Sequence, residues 1–316
     1  MTVLEQIRLT GLVPVIAIQH ADDAEPLART LVEGGLPIAE VTFRTAAAQE
    51  AIRRIAKTFP NVLLGAGTVL TVDQVKTAFD CGAKYIVSPG LNRKVVEYCL
   101  NNSLPVTPGV ATPSDVEGAL DMGLNIVKFF PAEASGGLAY LKALSGPYGN
   151  MRFIPTGGID ESNVLAYLKF PKTLACGGSW MVKPELIAAK KFDQIKELTA
   201  RAVQLMLGFD LRRISVAVSG EAEAIQQARL LAGLLNVPVT EAGSSLFVGA
   251  EFEIQKSPGS PRTLSMGTHF LDRALAYLQR KGIQPQPDGV VYEKGRAIAA
   301  RLDVTVGGFQ ISIIEV

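Results

Sequence analysis

Between Leu12 and Trp180 one plan recurs eight times: a short apolar run ending in glycine, proline or a polar residue, followed by a stretch with helical marks. The runs are Leu12 to Ile18, Ile38 to Arg44, Leu63 to Val69, Tyr85 to Gly90, Pro105 to Val110, Ile126 to Pro131, Phe153 to Ile159 and Leu174 to Trp180. Apolar runs this short, bounded by turn residues, read as strands. The stretches between them have helical periodicity. In AQEAIRRIAKTF, Ile52, Ile55, Ala56 and Phe59 share one face, while Arg53, Arg54 and Lys57 take the other. Thr71, with Gln74 three residues on, makes a capping box, and Thr112 before Pro113 places a cap ahead of a first-turn proline. Strand then helix, eight times over, predicts an α/β fold in which a parallel sheet closes into a (β/α)8, or TIM, barrel. An open doubly wound sheet would show a glycine fingerprint at the start of its first helix, and QHADDAEP after the first run has none.

An amphipathic turn at Val3 to Leu9 is expected to cap the barrel bottom, and Pro184 to about Leu207 to form the closing helix. After Gly208 the style changes. RRISVAV reads as a strand and EAIQQARLLAGLL as a helix; strands follow around Ser245 to Gln255 and Arg262 to Met266. LDRALAYLQRK is then a helix, with strands around Val290, Ile298 to Val306 and Phe309 to Glu315. The expected division is a barrel over 1–208 and a smaller α+β domain of two β-α-β-β-like halves over 209–316. At 316 residues and 48% hydrophobic, the chain can bury one large and one small core. Its 31 Lys and Arg against 30 Asp and Glu give a net charge of +1, without the basic field that nucleic acid or an anionic membrane would require. Cys81, Cys99 and Cys176 are scattered without metal spacing, no basic-then-apolar signal segment opens the sequence, and runs such as LVPVIAI fall short of a membrane span. A reduced cytoplasm is the expected compartment.

Barrel strands are covered by helices outside and by packed side chains inside, so a charge in mid-strand is costly unless it faces the C-terminal mouth. Glu40, Arg44 and Lys128 break that rule. In IAEVTFRT, alternation puts Glu40, Thr42 and Arg44 on one face and Val41 and Phe43 on the other; the polar set must point into the barrel. In NIVKFFP the same parity turns Ile126, Lys128 and Phe130 inward and Val127 and Phe129 towards the helices. An acid and an amine from different strands therefore share a mouth. They can form a structural ion pair with Arg44 reaching to solvent, or they can do chemistry, and the position of active sites in this fold favours the second. A lysine with a reference pKa of about 10.4 is neutral at pH 7 in only about one molecule in 2,500, whereas one lowered to about 7 by apolar surroundings is half neutral. With apolar residues on both sides and Arg44 as a possible cationic neighbour, Lys128 reads as a Schiff-base nucleophile.

The last two runs end in TGGID and CGGSW, glycine pairs that expose backbone N–H groups where barrels of this kind hold phosphate. Either pair alone is also an ordinary tight turn; two at neighbouring strand ends, with Ser179 adding a hydroxyl, favour phosphate. GAGTV at 65–69 is a third open strand end, where Thr68 can hydrogen-bond a carboxylate or simply close a glycine-rich exit. With only two histidines, His20 and His269, a three-histidine zinc site is impossible, and no metal or cofactor is expected. Cys176 reads as a core thiol and His20 as a solvated loop residue.

The strings EVTFRT, GAGTV, SPG, VKFFPAE, PTGGI and GGSW, in that order over nearly all of residues 1–207, resemble the 2-dehydro-3-deoxy-phosphogluconate (KDPG) and 4-hydroxy-2-oxoglutarate aldolase family. The resemblance implies a class I aldolase, usually a homotrimer, that cleaves KDPG to pyruvate and glyceraldehyde 3-phosphate. Lys128 matches that family's Schiff-base lysine and Glu40 its general acid/base. Arg44 and Thr68 match the residues holding the pyruvate carboxylate, Pro89 and Phe130 match pocket positions, and Gly157, Gly158, Gly178 and Ser179 fall where the family places the substrate phosphate. Other partners of the same chemistry are 4-hydroxy-2-oxoglutarate and the galactonate epimer of KDPG; a barrel isomerase or decarboxylase, or a sugar-acid sensor, are further alternatives. The C-terminal domain loosely resembles the vicinal-oxygen-chelate, or glyoxalase-like, fold. RRISVAV offers no inward His or Glu, His269 sits at an expected helix start, and Glu315 has no evident ligand partners, so a non-catalytic assembly or regulatory role is expected.

Overall fold

The computed structural model describes residues 1–316, which divide into two compact units, Met1–Met206 and Leu207–Val316. In the first unit α1 (Val3–Thr10) is capped by Thr2, whose side chain accepts from Glu5 N, and ends at Gly11 in the left-handed region. There follow β1 (Leu12–Ile16), α2 (Ala24–Glu33), β2 (Ile38–Thr42), α3 (Ala48–Thr58), β3 (Leu63–Gly67), α4 (Val72–Asp80), β4 (Tyr85–Val87) and α5 (Arg93–Asn101). The order continues with β5 (Val106–Thr107), β6 (Gly109–Val110), α6 (Pro113–Asp121), β7 (Ile126–Phe129), α7 (Gly137–Ser145), β8 (Arg152–Pro155), α8 (Val164–Leu168) and β9 (Cys176–Gly178). Strand then helix thus closes a parallel α/β barrel of the TIM type.

The pairing is a six-stranded ladder, β5-β4-β3-β2-β1-β9, and a three-stranded one, β6-β7-β8. The fifth apolar run is two strands because Pro108 interrupts it. Val106 and Thr107 pair with β4, Gly109 and Val110 pair with β7, and the Pro108 carbonyl accepts from Lys128 N at 2.9 Å. On the far side the ladders meet only through single bridges, Phe153 to Thr173 and Thr156 to Gly177.

Helix faces follow the expected periodicity. In α3, Ile52 and Ile55 are buried while Arg53 and Lys57 are exposed. Thr71 caps α4 by accepting from Gln74 N, and Gln74 accepts from Leu70 N rather than from Thr71. Thr112 and Asp115 form the reciprocal capping box at α6. The expected closing helix is two: α9 (Pro184–Ala188) and α10 (Phe192–Leu207) are separated where Lys190 takes a φ of 52°.

The second unit holds β10 (Asp210–Ala217), α11 (Glu221–Leu235), β11 (Val239–Ala242), β12 (Ser245–Val248), β13 (Phe252–Gln255), β14 (Thr263–Thr268), α12 (Leu271–Arg280), β15 (Pro285–Glu293), β16 (Arg296–Val306) and β17 (Phe309–Glu315). They form one eight-stranded sheet, β11-β12-β13-β10-β14-β17-β16-β15, in which the two halves meet along the antiparallel pair β10–β14. Each half is β-α-β-β-β rather than β-α-β-β; in the first, VTEA forms a strand absent from the expected order. One apolar cluster packs α11 on Val218, Leu246, Val248 and Ile254; another packs α12 on Ala300, Leu302 and Ile313. Glu315 holds the start of α12, where its carboxylate accepts from Leu271 N at 3.2 Å, and it also pairs with Arg296.

Candidate active site

Glu40 on β2 and Lys128 on β7 are 4% and 5% exposed, and their Oε1 and Nζ atoms stand 3.4 Å apart. Strand parity brings them together as expected: Val127 and Phe129 are fully buried on the other face of β7, where Phe129 stacks on Tyr140 of α7. Of the aromatic neighbours, Phe130 is the one whose ring faces the amine, with its centroid 5.2 Å from Lys128 Nζ.

The string GAGTV makes room for this pair. A side-chain carbon at Gly67 would fall 2.2 Å from Glu40 Oε1, and one at Gly65 would fall 2.2 Å from the Tyr85 ring. Tyr85 is buried beneath, its hydroxyl donating to the Ala39 carbonyl at 3.3 Å; burial, and then the Glu40 charge, push its phenol well above the ordinary value. Thr68 follows with a φ of 55°, a left-handed conformation rare for a β-branched residue, and its hydroxyl accepts from Arg44 Nε at 3.2 Å. In this conformation the hydroxyl lies beside the guanidinium. Thr42, on the inward face with Glu40, donates to the Ile16 carbonyl at 2.8 Å.

A cavity of about 260 Å³ is lined by residues that include Val15, Thr42, Arg44, Phe130, Thr156 and Ser179, with Glu40, Thr68 and Lys128 outside the lining. Gly157, Gly158 and Gly178 also line it. Gly157 and Gly158 have φ of 96° and 79°, so the turn after β8 requires glycine at both. Gly178 leaves space for Trp180, whose ring a side-chain carbon there would strike at 1.9 Å. Pro89 is not in this lining; its carbonyl lies where a side chain on Gly109 would be, 2.0 Å away, and Gly109 is the register partner of Lys128.

Thr156, Ile159 and Pro184 line the cavity without having been singled out from sequence. Thr156 and Ile159 flank the glycine pair and Pro184 opens α9, so position alone marked them. His20 is exposed and outside the lining, and Cys81, Cys99 and Cys176 are buried away from it. No group of three or more His, Cys, Asp or Glu side chains is placed to hold a metal ion.

An α/β barrel carrying an amine in contact with an acid, beneath a mouth rimmed by glycine turns, defines the class: a barrel lyase of the aldolase type. The family model for KDPG and KHG aldolase matches residues 3–198, well over half of the chain. The chain belongs to the KDPG and KHG aldolase family. The 2-dehydro-3-deoxy-phosphogluconate aldolase of Treponema pallidum is 47% identical over 205 residues, covering 65% of this chain and 98% of that protein. The KHG/KDPG aldolase of Escherichia coli is 42% identical over 204 residues, covering 64% and 96%. The crystal structure of the KDPG aldolase of Legionella pneumophila, with pyruvate captured at low pH as a covalent carbinolamine intermediate, superposes with a TM-score of 0.61 at 40% identity, covering 63% of this chain and 97% of that one. None of the helices is long and apolar enough to cross a membrane.

Proposed function

We propose that the protein is a class I aldolase that cleaves 2-dehydro-3-deoxy-6-phosphogluconate to pyruvate and glyceraldehyde 3-phosphate, with Lys128 as the imine-forming amine and Glu40 as the proton carrier. The observation that carries this reading is the buried contact of Lys128 Nζ with Glu40 Oε1 at 3.4 Å. Glu40 is placed to take the proton that the amine must lose before attack. Lys128 then adds to the C2 ketone, and the carbinolamine loses water, its hydroxyl taking the proton back from Glu40, to give the iminium and a carboxylate again free to act as base. Glu40, directly or through water, removes the C4 hydroxyl proton; the C3–C4 bond breaks with its electron pair flowing to the iminium, and the aldehyde leaves. Glu40 returns a proton to C3 of the enamine, and water hydrolyses the new iminium to free pyruvate and the lysine.

The remaining roles follow from charge and position. Arg44, held by Thr68, is assigned to the pyruvate carboxylate. The Gly157–Gly158 turn with Gly178 and Ser179 is assigned to the phosphate, and Pro89 and Phe130 to the wall around the amine. We further assign the C-terminal domain expected over 209–316 a non-catalytic assembly role, and take the active form to be a homo-oligomer, a trimer or a multiple of it. Borohydride reduction with pyruvate, followed by peptide mass mapping, tests the central step. A pyruvyl adduct on Lys128 is expected, and its absence from folded protein would overturn the imine mechanism. The double name of the Escherichia coli relative favours 4-hydroxy-2-oxoglutarate as a second substrate of the same lysine.

A further inference from the structure

The turn after β8 is held from behind by groups outside the cavity lining. The Gly157 carbonyl accepts from Glu133 N at 3.0 Å and the Gly158 carbonyl from Asn163 Nδ2 at 2.9 Å. Across a trans peptide the N–H points opposite to the preceding carbonyl, so the N–H groups of Gly158 and Ile159 are turned away from these anchors. Both residues line the cavity. Glu133 is five positions beyond Lys128 in the chain, and Ala132 N also donates to the Thr156 carbonyl, at 2.8 Å. The exit of the lysine strand is thereby fastened directly to the turn.

Glu133 has a second hold. Its Oε1 accepts from the hydroxyl of Tyr167, a residue of α8 that is 1% exposed. The Glu133 side chain packs so closely behind Gly158 that a side-chain carbon there would fall 2.6 Å from Glu133 Cβ. A buried phenol with one specific acceptor fixes that acceptor in place, since breaking the bond would strand a polar group in the core.

We propose that Glu133, braced by Tyr167, is a positioning residue that aims the Gly158 and Ile159 N–H groups at the substrate phosphate and sets their distance from Lys128. The brace decides how strongly the enzyme prefers phosphorylated over unphosphorylated keto acids, and it takes no part in imine chemistry. This rests on the phosphorylated-substrate reading above.

The test compares wild type, Tyr167→Phe and Glu133→Gln in three measurements: cleavage of 2-dehydro-3-deoxy-6-phosphogluconate and of 4-hydroxy-2-oxoglutarate, inhibition by inorganic phosphate, and the rate of pyruvate trapping by borohydride. Tyr167→Phe keeps the buried ring and removes only the hydroxyl. It should raise KM for the phosphorylated substrate, and the inhibition constant of phosphate, by about tenfold. Pyruvate trapping and cleavage of 4-hydroxy-2-oxoglutarate should stay within about twofold of wild type. Glu133→Gln, which can still accept from Tyr167, should show a smaller change of the same kind. Unchanged phosphate affinity in Tyr167→Phe overturns the proposal, and so does an equal loss on both substrates and in trapping, which would mark a purely structural contact. If wild type itself shows no preference for the phosphate, the substrate reading falls and takes this inference with it; a wild-type preference that survives in both variants sinks the brace alone.

Discussion

Three side chains divide the expected work, and each substitution should fail in its own way. Lys128→Ala should abolish both turnover and borohydride trapping, because no other amine is placed to form the imine. Glu40→Gln should leave a trappable imine while kcat falls by about 10²–10⁴-fold, the usual span for losing a general acid/base. Arg44→Ala should leave trapping possible at high pyruvate and lower cleavage efficiency by about ten- to a hundredfold, the range for a lost charge-assisted hydrogen bond. Thr68→Gly should keep its melting temperature close to wild type, since relief of the left-handed strain offsets the entropy of glycine, yet KM should rise as Arg44 loses its partner. At the other extreme of reactivity, burial pushes the Cys99 thiol up to about 11. At pH 8 only about one such thiol in a thousand is ionised, so alkylation of the native protein should spare Cys99 until denaturant exposes it. Glu40, Arg44 and Lys128 were legible in the sequence because charge inside an apolar strand must be explained. Glu133, Tyr167 and Tyr85 were not, since a glutamate after a strand and a tyrosine in an apolar stretch fit many ordinary roles.

Among the elements, the capped helix α6 gives the most direct stability test. Burial alone would raise the Asp115 carboxyl, yet the N–H groups of Ala111 and Thr112 and the Thr112 hydroxyl outweigh it and hold it below the usual carboxylate range. The stabilisation from this carboxylate is therefore present at neutral pH and is lost as pH falls through its lowered folded-state value. Thr112→Ala should cost about 1 kcal/mol in chemical denaturation at pH 7, with a smaller difference from wild type near pH 3, where the carboxylate half of the box is also failing. Pro113 made the start of this helix readable, and strand parity set the register of β2 and β7. Two features escaped that reading. VTEA is four residues long and exposed throughout, so it carries no alternation to mark a strand. Pro108 lies inside an apolar run, and the run gave no sign that the backbone changes partner there.

For the whole chain, relatives that align over nearly their full length cover only about two thirds of it, and the family-model match, residues 3–198, lies within the first unit. Residues 1–206 expressed alone should therefore fold, trap pyruvate and cleave substrate, and loss of all three would show that the second unit is needed for the barrel. If the second unit governs assembly, light scattering should find a smaller oligomer for the truncated chain than for the full one, and equal stoichiometry would remove that assignment. The change of style after Gly208 was readable from pattern, whereas the role of the second unit was not, because no catalytic constellation marks its strands. The break at Pro108 bears on the chemistry as well. It leaves the barrel as two arcs with a seam on each side, and Glu40, the proposed proton carrier, belongs to the long arc while Lys128 belongs to the short one. Their contact ties one separately hydrogen-bonded arc to the other alongside the two backbone bridges, so a slight parting of the seams would separate Glu40 from Lys128 before either strand lost its own ladder.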